Sequence, residues 1–219
     1  KNIDELKNVK LGQSNINQST DYLIITHSKL ESGASNYLNY RTSLAGGSHS
    51  AKVILVDDIY HDFGYGMEGP LAIKKYIQSL KQSNPNLKNI LLLGKGQTYD
   101  RIRTNTALKN SLNLVPSIGF PPSDYLYVSK LDASSLGLDF NIGRIPARSN
   151  EQVEIYLEKI KAFEAQPPAA WQKKVIQLAG GIGFENQSFK NYLNNYYSIL
   201  SDTSYGGYRV LFSKSEPLP

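Results

Sequence analysis

The chain contains no cysteine, which excludes disulfides, thiolate metal ligands and a cysteine nucleophile together. One methionine and one tryptophan stand against 15 tyrosines in 219 residues. No apolar run approaches the ~20 residues of a membrane-spanning helix. Lys1 opens neither with methionine nor with a signal-type apolar stretch, which reads as a mature form or an excised segment. The three histidines, His27, His49 and His61, lack the H-x-x-x-H and H-E-x-x-H spacings that gather metal ligands on a helix. His27 sits at the end of an expected strand, on the side where ligands collect in open α/β sheets, and its plain reading is a polar strand-end residue. Blocks of one charge are missing too. The net charge is +5, but the 24 Lys and Arg are scattered among 19 Asp and Glu. Clustered basic residues with interleaved aromatics would mark a nucleic-acid surface, so none is expected as a partner.

What is present alternates between two periods. Residues 22–26, 52–56 and 89–93 are short apolar runs of the kind found in buried parallel strands. Residues 125–128 and 140–145 are read as two further short strands. A helix is expected over 36–44, stopped by Gly46-Gly47. Another starts at Pro70, shows Ile73, Tyr76, Ile77 and Leu80 on one face, and breaks at Asn84-Pro85-Asn86. A third covers 150–165, with Ser149 and Gln152 as a capping box and Val153, Tyr156, Leu157, Ile160 and Phe163 as its stripe. The irregular stretch 97–123 is long enough to suggest a functional loop. Gln166-Pro167-Pro168 breaks the pattern, which restarts with a strand at 174–178. A helix follows at 187–200, with Phe189, Tyr192, Leu193 and Tyr196 on one face, and then a strand at 208–212. The fold class is α/β: a three-layer, mainly parallel sheet with flanking helices. Residues 1–20 read as a linker and 21–168 as a first α/β subdomain. Residues 169–219 read as the start of a second subdomain, incomplete because ~50 residues are too few for a core of their own.

Chemical motifs are sparse. Gly94-Lys95-Gly96 and Gly180-Gly181-Ile182-Gly183 follow strands, but neither forms G-x-G-x-x-G or a P-loop. Asp202 lies near the right distance from Gly183 for a ribose contact, yet ahead of the second strand instead of after it. Nucleotide binding is therefore not expected. No G-x-S-x-G elbow presents a serine, and Ser123-Asp124 also suits a plain turn. Asp57-Asp58, Asp124, Asp132 and Asp139 lie at or near strand ends, and the carboxyl ends of parallel strands share one rim. Converged there, carboxylates would orient a histidine, bind a cationic group, hold calcium or simply be solvated. No cofactor is expected, and no EF-hand-type loop supports calcium.

Taken in order, these pieces resemble one family. Tyr22–Thr26, Ile59–Gly66 ahead of a helix, Leu91–Gly96, Val115-Pro116, Ser123-Asp124-Tyr125, Asp139–Pro146, Lys159–Glu164 and Trp171 are similar to the gingipain-like cysteine peptidases (family C25, in the caspase-like clan). Type IX secretion sortase-like members belong to the same family. The resemblance implies a bacterial protein, secreted or at the cell surface, acting on peptide or protein substrates. It implies a cysteine thiolate assisted by a histidine from a His-Gly turn, both in the second subdomain. Neither position exists here, so both are expected after Pro219, in the remainder of the same polypeptide. The chain alone should then be inactive. The resemblance makes Asp139 a supporting carboxylate near that histidine, with Asp124 and His27 as residues of the active-site rim. Lys95 departs from the aspartate that many relatives carry after the Leu-Leu-Leu-Gly strand. The alternative is a non-catalytic scaffold, a pseudo-peptidase module of an exported multidomain protein.

Overall fold

A computed structural model describes residues 10–105, 107, 111–129 and 138–213. It divides into two compact units, residues 1–165 and 166–219. The mainly parallel α/β expectation holds in both.

In the first unit, β1 (Tyr22–Thr26) is followed by a 3₁₀ turn, Ser28–Leu30, and by α1 (Glu31–Thr42). Next come β2 (Ala51–Leu55), α2 (Val56–Gly64), α3 (Pro70–Ser83), β3 (Asn89–Leu93) and α4 (Tyr99–Thr104). Then come α5 (Tyr125–Val128), β4 (Asn141–Ile145) and α6 (Asn150–Glu164). The strands form one sheet in the order β2-β1-β3-β4, every neighbouring pair parallel. Because side chains alternate along a strand, β1 and β3 feed two cores. Leu23, Ile25, Ile90 and Leu92 face a core shared with α2 and α3, including Ile59, Ile73, Tyr76 and Ile77. Ile24, Leu91 and Leu93 face the opposite core, shared with Tyr37 of α1 and with Val153 and Leu157 of α6. The central strands are thus buried on both faces, which is why they read as unbroken apolar runs.

Several expectations are corrected. Helix α1 begins at Glu31, five residues before the expected start. The second strand stops at Leu55, because Val56-Asp57-Asp58 opens α2 instead of ending β2. Asp57 and Asp58 in a first turn favour a helix start, and Val56, Ile59 and Tyr60 make a buried face at helical spacing. Residues 125–128 form a helical turn and not a strand, since four apolar residues carry no decisive period. In α6 only Val153 and Leu157 are buried, while Tyr156 and Phe163 stay exposed. Gln152 spends its side-chain oxygen on the Arg148 N–H at 2.8 Å, and Ser149 accepts from the Gln152 N–H.

The stretch read as a linker is fastened from Gly12 onward. Asp62 accepts from the N–H groups of Gly12 (2.7 Å) and Ser14 (3.0 Å) and from the Ser14 hydroxyl. The Tyr76 hydroxyl donates to the Ser14 carbonyl, and Asn84 donates to that of Asn17. Helices α1 and α6 meet closely at Gly33, whose N–H donates to Asn150 Oδ1 at 2.8 Å. Arg41 near the end of α1 binds both oxygens of Glu164 at 2.9 and 3.1 Å and also the Tyr37 hydroxyl.

The second unit is a single βαβ: β5 (Lys174–Ala179), α7 (Phe184–Leu200) and β6 (Tyr208–Ser213), with β5 and β6 paired in parallel. Gln177 and Ala179 are buried, whereas the alternate residues Ile176 and Leu178 are 63% and 72% exposed. Phe189, Tyr192 and Tyr196 of α7 are exposed as well, contrary to the expected stripe. The Arg209 guanidinium lies 4.2 Å from the Tyr197 ring centroid and donates to the Leu193 carbonyl, so α7 meets its sheet partly through polar stacking.

Candidate functional site

Four parallel strands put four carboxyl ends on one rim, and in the order β2-β1-β3-β4 the chain reverses its direction of travel between β1 and β3. Connections leave the sheet on opposite sides there, opening a crevice. A cavity of about 630 Å³ occupies this rim. His27 follows β1; Asp57 and Tyr60 come from α2; Glu68 precedes α3; Gln97 follows β3; Arg103 comes from α4.

The histidine is held in one tautomer. Its Nδ1 accepts the Lys29 N–H at 3.0 Å, capping the 3₁₀ turn, so the ring's hydrogen belongs on Nε2. Burial lowers the His27 pKa and Lys29 adds to that, while Asp57 and Glu68 oppose it less strongly. The ring is therefore neutral at pH 7 and offers an N–H donor. Tyr60 is 6% exposed. Burial, reinforced by Glu68 and Asp57, pushes its hydroxyl far above the ordinary phenol range, so it stays protonated. Gln97, 7% exposed, receives only a backbone anchor, its N–H donating to Asn113 Oδ1 at 2.9 Å.

Asp124 also stands toward this end of the sheet, but its carboxylate is committed. Both of its oxygens take the Arg144 guanidinium at 2.7 Å, Oδ2 from Nε and Oδ1 from Nη2. The other Arg144 hydrogens go to the carbonyls of Gly94, Val115 and Pro116. Ser123 uses its N–H on the Ile118 carbonyl, as in an ordinary turn.

Asp139 stands at the other end. It precedes β4, so it lies by the amino ends of the strands, where Lys81 Nζ approaches it at 2.9 Å. The structure thus brings His27 together with Asp57, separates both from Asp139, and spends Asp124 on an arginine. His49 and Asp21 pair at 3.0 Å just ahead of β2 and β1, again at the amino ends. His61 lies within α2, and Asp132 falls outside the described residues. Among the described residues no group of three acidic or histidine side chains is placed to hold a metal.

The glycines after β3 serve packing. A Cβ on Gly96 would lie 2.6 Å from Ser117 Oγ and 2.9 Å from the Val115 carbonyl, and Gly94 holds a φ of 149° against Val115. Their absent side chains admit the irregular segment 114–117, which the Lys95 carbonyl holds through the N–H groups of Leu114 and Val115. Sequence reasoning missed Gln97, Tyr60, Glu68 and Arg103. Only the length of the stretch after β3 pointed toward two of them.

The sequence model of peptidase family C25 matches residues 15–214. The chain belongs to peptidase family C25. Two solved structures share its fold. One is dimeric latent PorU from Porphyromonas gingivalis: TM-score 0.52, 15% identity, over 78% of this chain and 20% of that one. The other, described simply as a protease, has TM-score 0.50 and 14% identity, over 90% of this chain and 40% of that one. The chain thus spans a fifth to two fifths of the length of these two solved structures. No curated protein matches it. No helix among the described residues is long and apolar enough to cross a membrane.

Proposed function

We propose that this chain is the N-terminal part of a gingipain-like cysteine endopeptidase, or of a sortase-like acyl transferase, and is catalytically inactive by itself. The observation that carries the reading is a family match across both units in a chain without a single cysteine. Acyl transfer in this family calls for a thiolate to attack the scissile carbonyl, a histidine to manage the proton, and N–H donors for the oxyanion. The thiolate must come from the remainder of the polypeptide. The second unit supports this reading. Parallel sheets are covered on both faces, yet Ile176 and Leu178 are bare and the described residues of this unit form two strands. The remainder of the second subdomain would cover that face.

In this reading the first unit supplies the frame and a peptide or protein is the substrate. The protein is exported, as the resemblance implies. For Asp139 to support the catalytic histidine, its Lys81 contact must be exchanged for it. Asp139→Asn in the full-length protein would then lower kcat while leaving the fold intact.

The test is a peptidase assay on the purified chain and on the full-length protein. The reading expects no thiol-dependent turnover from the chain, and turnover from the full-length protein that alkylation abolishes. Thiol-dependent turnover by the chain itself would overturn it. An inert full-length protein lacking either the His-Gly turn or the cysteine would favour the pseudo-peptidase module, which the absence of a nucleophile here also suits.

A further inference from the structure

The turn between α2 and α3 breaks a local rule and gains nothing from it inside the fold. Tyr65 ends α2 in the left-handed region, at φ 53° and ψ 37°, where glycine fits without steric cost and a tyrosine does not. Hydrogen bonds fix this geometry. The N–H groups of Tyr65 and Gly66 both donate to the Tyr60 carbonyl, and that of Met67 donates to the Gly64 carbonyl. Glycines stand on either side, at 64 and 66, so the exception is confined to the residue with a large ring. That residue is 90% exposed, so packing among the described residues does not repay the strain. Single exposed apolar side chains are ordinary. A strained one is the kind of outlier that gathers at binding sites.

This turn leads straight to the cavity at the carboxyl rim. Glu68, Gly69 and Pro70 border the cavity from the turn, and Pro116 and Ser117 border it from the connection after β3. Met67 and Leu71 adjoin the first set directly, and both are exposed. Phe120, 84% exposed, stands three residues past Ser117, and Tyr65 three before Glu68, each within ~11 Å of chain. Two separate stretches thus carry large, uncovered apolar side chains beside one opening. The cavity itself is mixed, with His27, Asn113 and Ser117 lining it alongside Val56, Ile102 and Leu114. A wholly apolar ligand would strip water from those polar groups and replace it with nothing. A peptide brings both an apolar side chain and a polar backbone.

We propose that Tyr65, Met67, Leu71 and Phe120 form an apolar lip that grips a large aliphatic or aromatic side chain of an extended peptide, whose backbone enters the cavity. That the occupant is a peptide rests on the peptidase reading above. The lip itself needs no thiol, because all four residues belong to this chain. It gives the first unit a share in choosing the substrate, through a residue beside the one that is cleaved.

Binding is measured on the purified chain by isothermal titration calorimetry with N-acetyl-Ala-Phe-Ala-amide, N-acetyl-Ala-Leu-Ala-amide and N-acetyl-Ala-Ala-Ala-amide. All ends are blocked, so terminal charges play no part. The Phe and Leu peptides should bind saturably, and the Ala peptide about tenfold more weakly, as expected for partial burial of one large side chain. Tyr65→Gly should weaken the Phe peptide severalfold while the unliganded chain melts no lower, because the left-handed turn is then unstrained. Leu44→Ser, also 90% exposed but just past the far end of α1, should change neither quantity. Equal affinity for the three peptides, or no heat from any of them, would overturn the proposal. So would a Tyr65→Gly chain that melts lower and binds as before, which makes the ring part of the frame. Binding abolished by replacing Ile176 and Leu178 with serine would place the peptide on the second unit instead. Dimerisation of the chain in sedimentation, lost in Tyr65→Gly, would give the lip to a second copy and also overturn the peptide. Thiol-dependent turnover by the full-length protein without peptide binding here would sink the lip and leave the peptidase reading standing.

Discussion

Arg144 donates through Nε and Nη2 to both carboxylate oxygens of Asp124, and its other hydrogens reach three main-chain carbonyls at Gly94, Val115 and Pro116. One guanidinium thus joins β4, the end of β3 and two points of the long connection between them. The Ser-Asp and Gly-Arg motifs on which the resemblance rests are, in this chain, the two halves of a clamp. Removing one partner leaves a largely buried charge. Asp124→Ala should therefore cost about 2–3 kcal/mol in urea unfolding, somewhat below the ~3–5 for a fully enclosed pair because both side chains keep some solvent. Arg144→Lys should cost nearly as much, since an ammonium cannot reproduce the two-toothed contact. A loss under about 0.5 kcal/mol for both, the level of a surface pair, would show that the clamp is decorative.

Gly33 sets the distance between α1 and α6. A Cβ there would stand 2.9 Å from Val153 Cβ and 3.1 Å from Asn150 Oδ1. Val153 is fully buried and branched next to the backbone, so it has no flexible end to move aside. Gly33→Val is expected to destabilise by about 1–3 kcal/mol, read by the same denaturation. Ser35→Val, on the exposed face of α1, serves as the control and should change little.

Asp62 makes the N-terminal segment sensitive to acid. Burial pushes its pKa up, but the Ser14 hydroxyl and the N–H groups of Gly12 and Ser14 outweigh that and hold it below the ordinary aspartate value. A depressed folded pKa stabilises above the unfolded value, ~3.9, and the benefit disappears as pH falls through the lower folded value. The amide resonances of Gly12 and Ser14 should therefore shift together, with a midpoint below ~3.9. Asp62→Asn should free residues 10–20 to exchange amide hydrogens at neutral pH while β1 and β3 stay protected. Unchanged exchange in that variant would mean that Tyr76 and Asn84 hold the segment without it.

Ile176 and Leu178 make the second unit sticky. The chain should bind a hydrophobic dye such as ANS in its native state, a property of uncovered apolar surface. Replacing both residues with serine should reduce the fluorescence severalfold and leave the melting transition of the first unit in place.

What the sequence disclosed follows from what a local pattern can encode. Leu23–Ile25 and Ile90–Leu92 announced buried strands because both of their faces are apolar. Pro70 and Asn84 bracketed α3 by backbone chemistry alone. Helix α2 is hidden because Asp57-Asp58 also suits a strand ending, although Val56, Ile59 and Tyr60 hold helical spacing. The exposure of Tyr156, Phe163 and Tyr192 was not legible, since periodicity names a face without saying whether anything packs on it. The site was harder still. His27 and Asp57 line the rim cavity, where strand ends are visible in sequence, but Gln97 and Tyr60 belong to no motif that would place them there. Asp139 was chosen by resemblance, and its place beside Lys81 at the amino ends depends on the direction of β4.

The one-sided sheet of the second unit has a consequence for synthesis. A polypeptide made from its N terminus can close the first unit as soon as α6 seals Val153 and Leu157 against α1. The βαβ that emerges next must wait with Ile176 and Leu178 uncovered. With the remainder of the second subdomain as the proposed cover, the interval before it emerges is when the nascent protein is most exposed to misassembly with a neighbour, so the order of translation becomes part of how safely it folds.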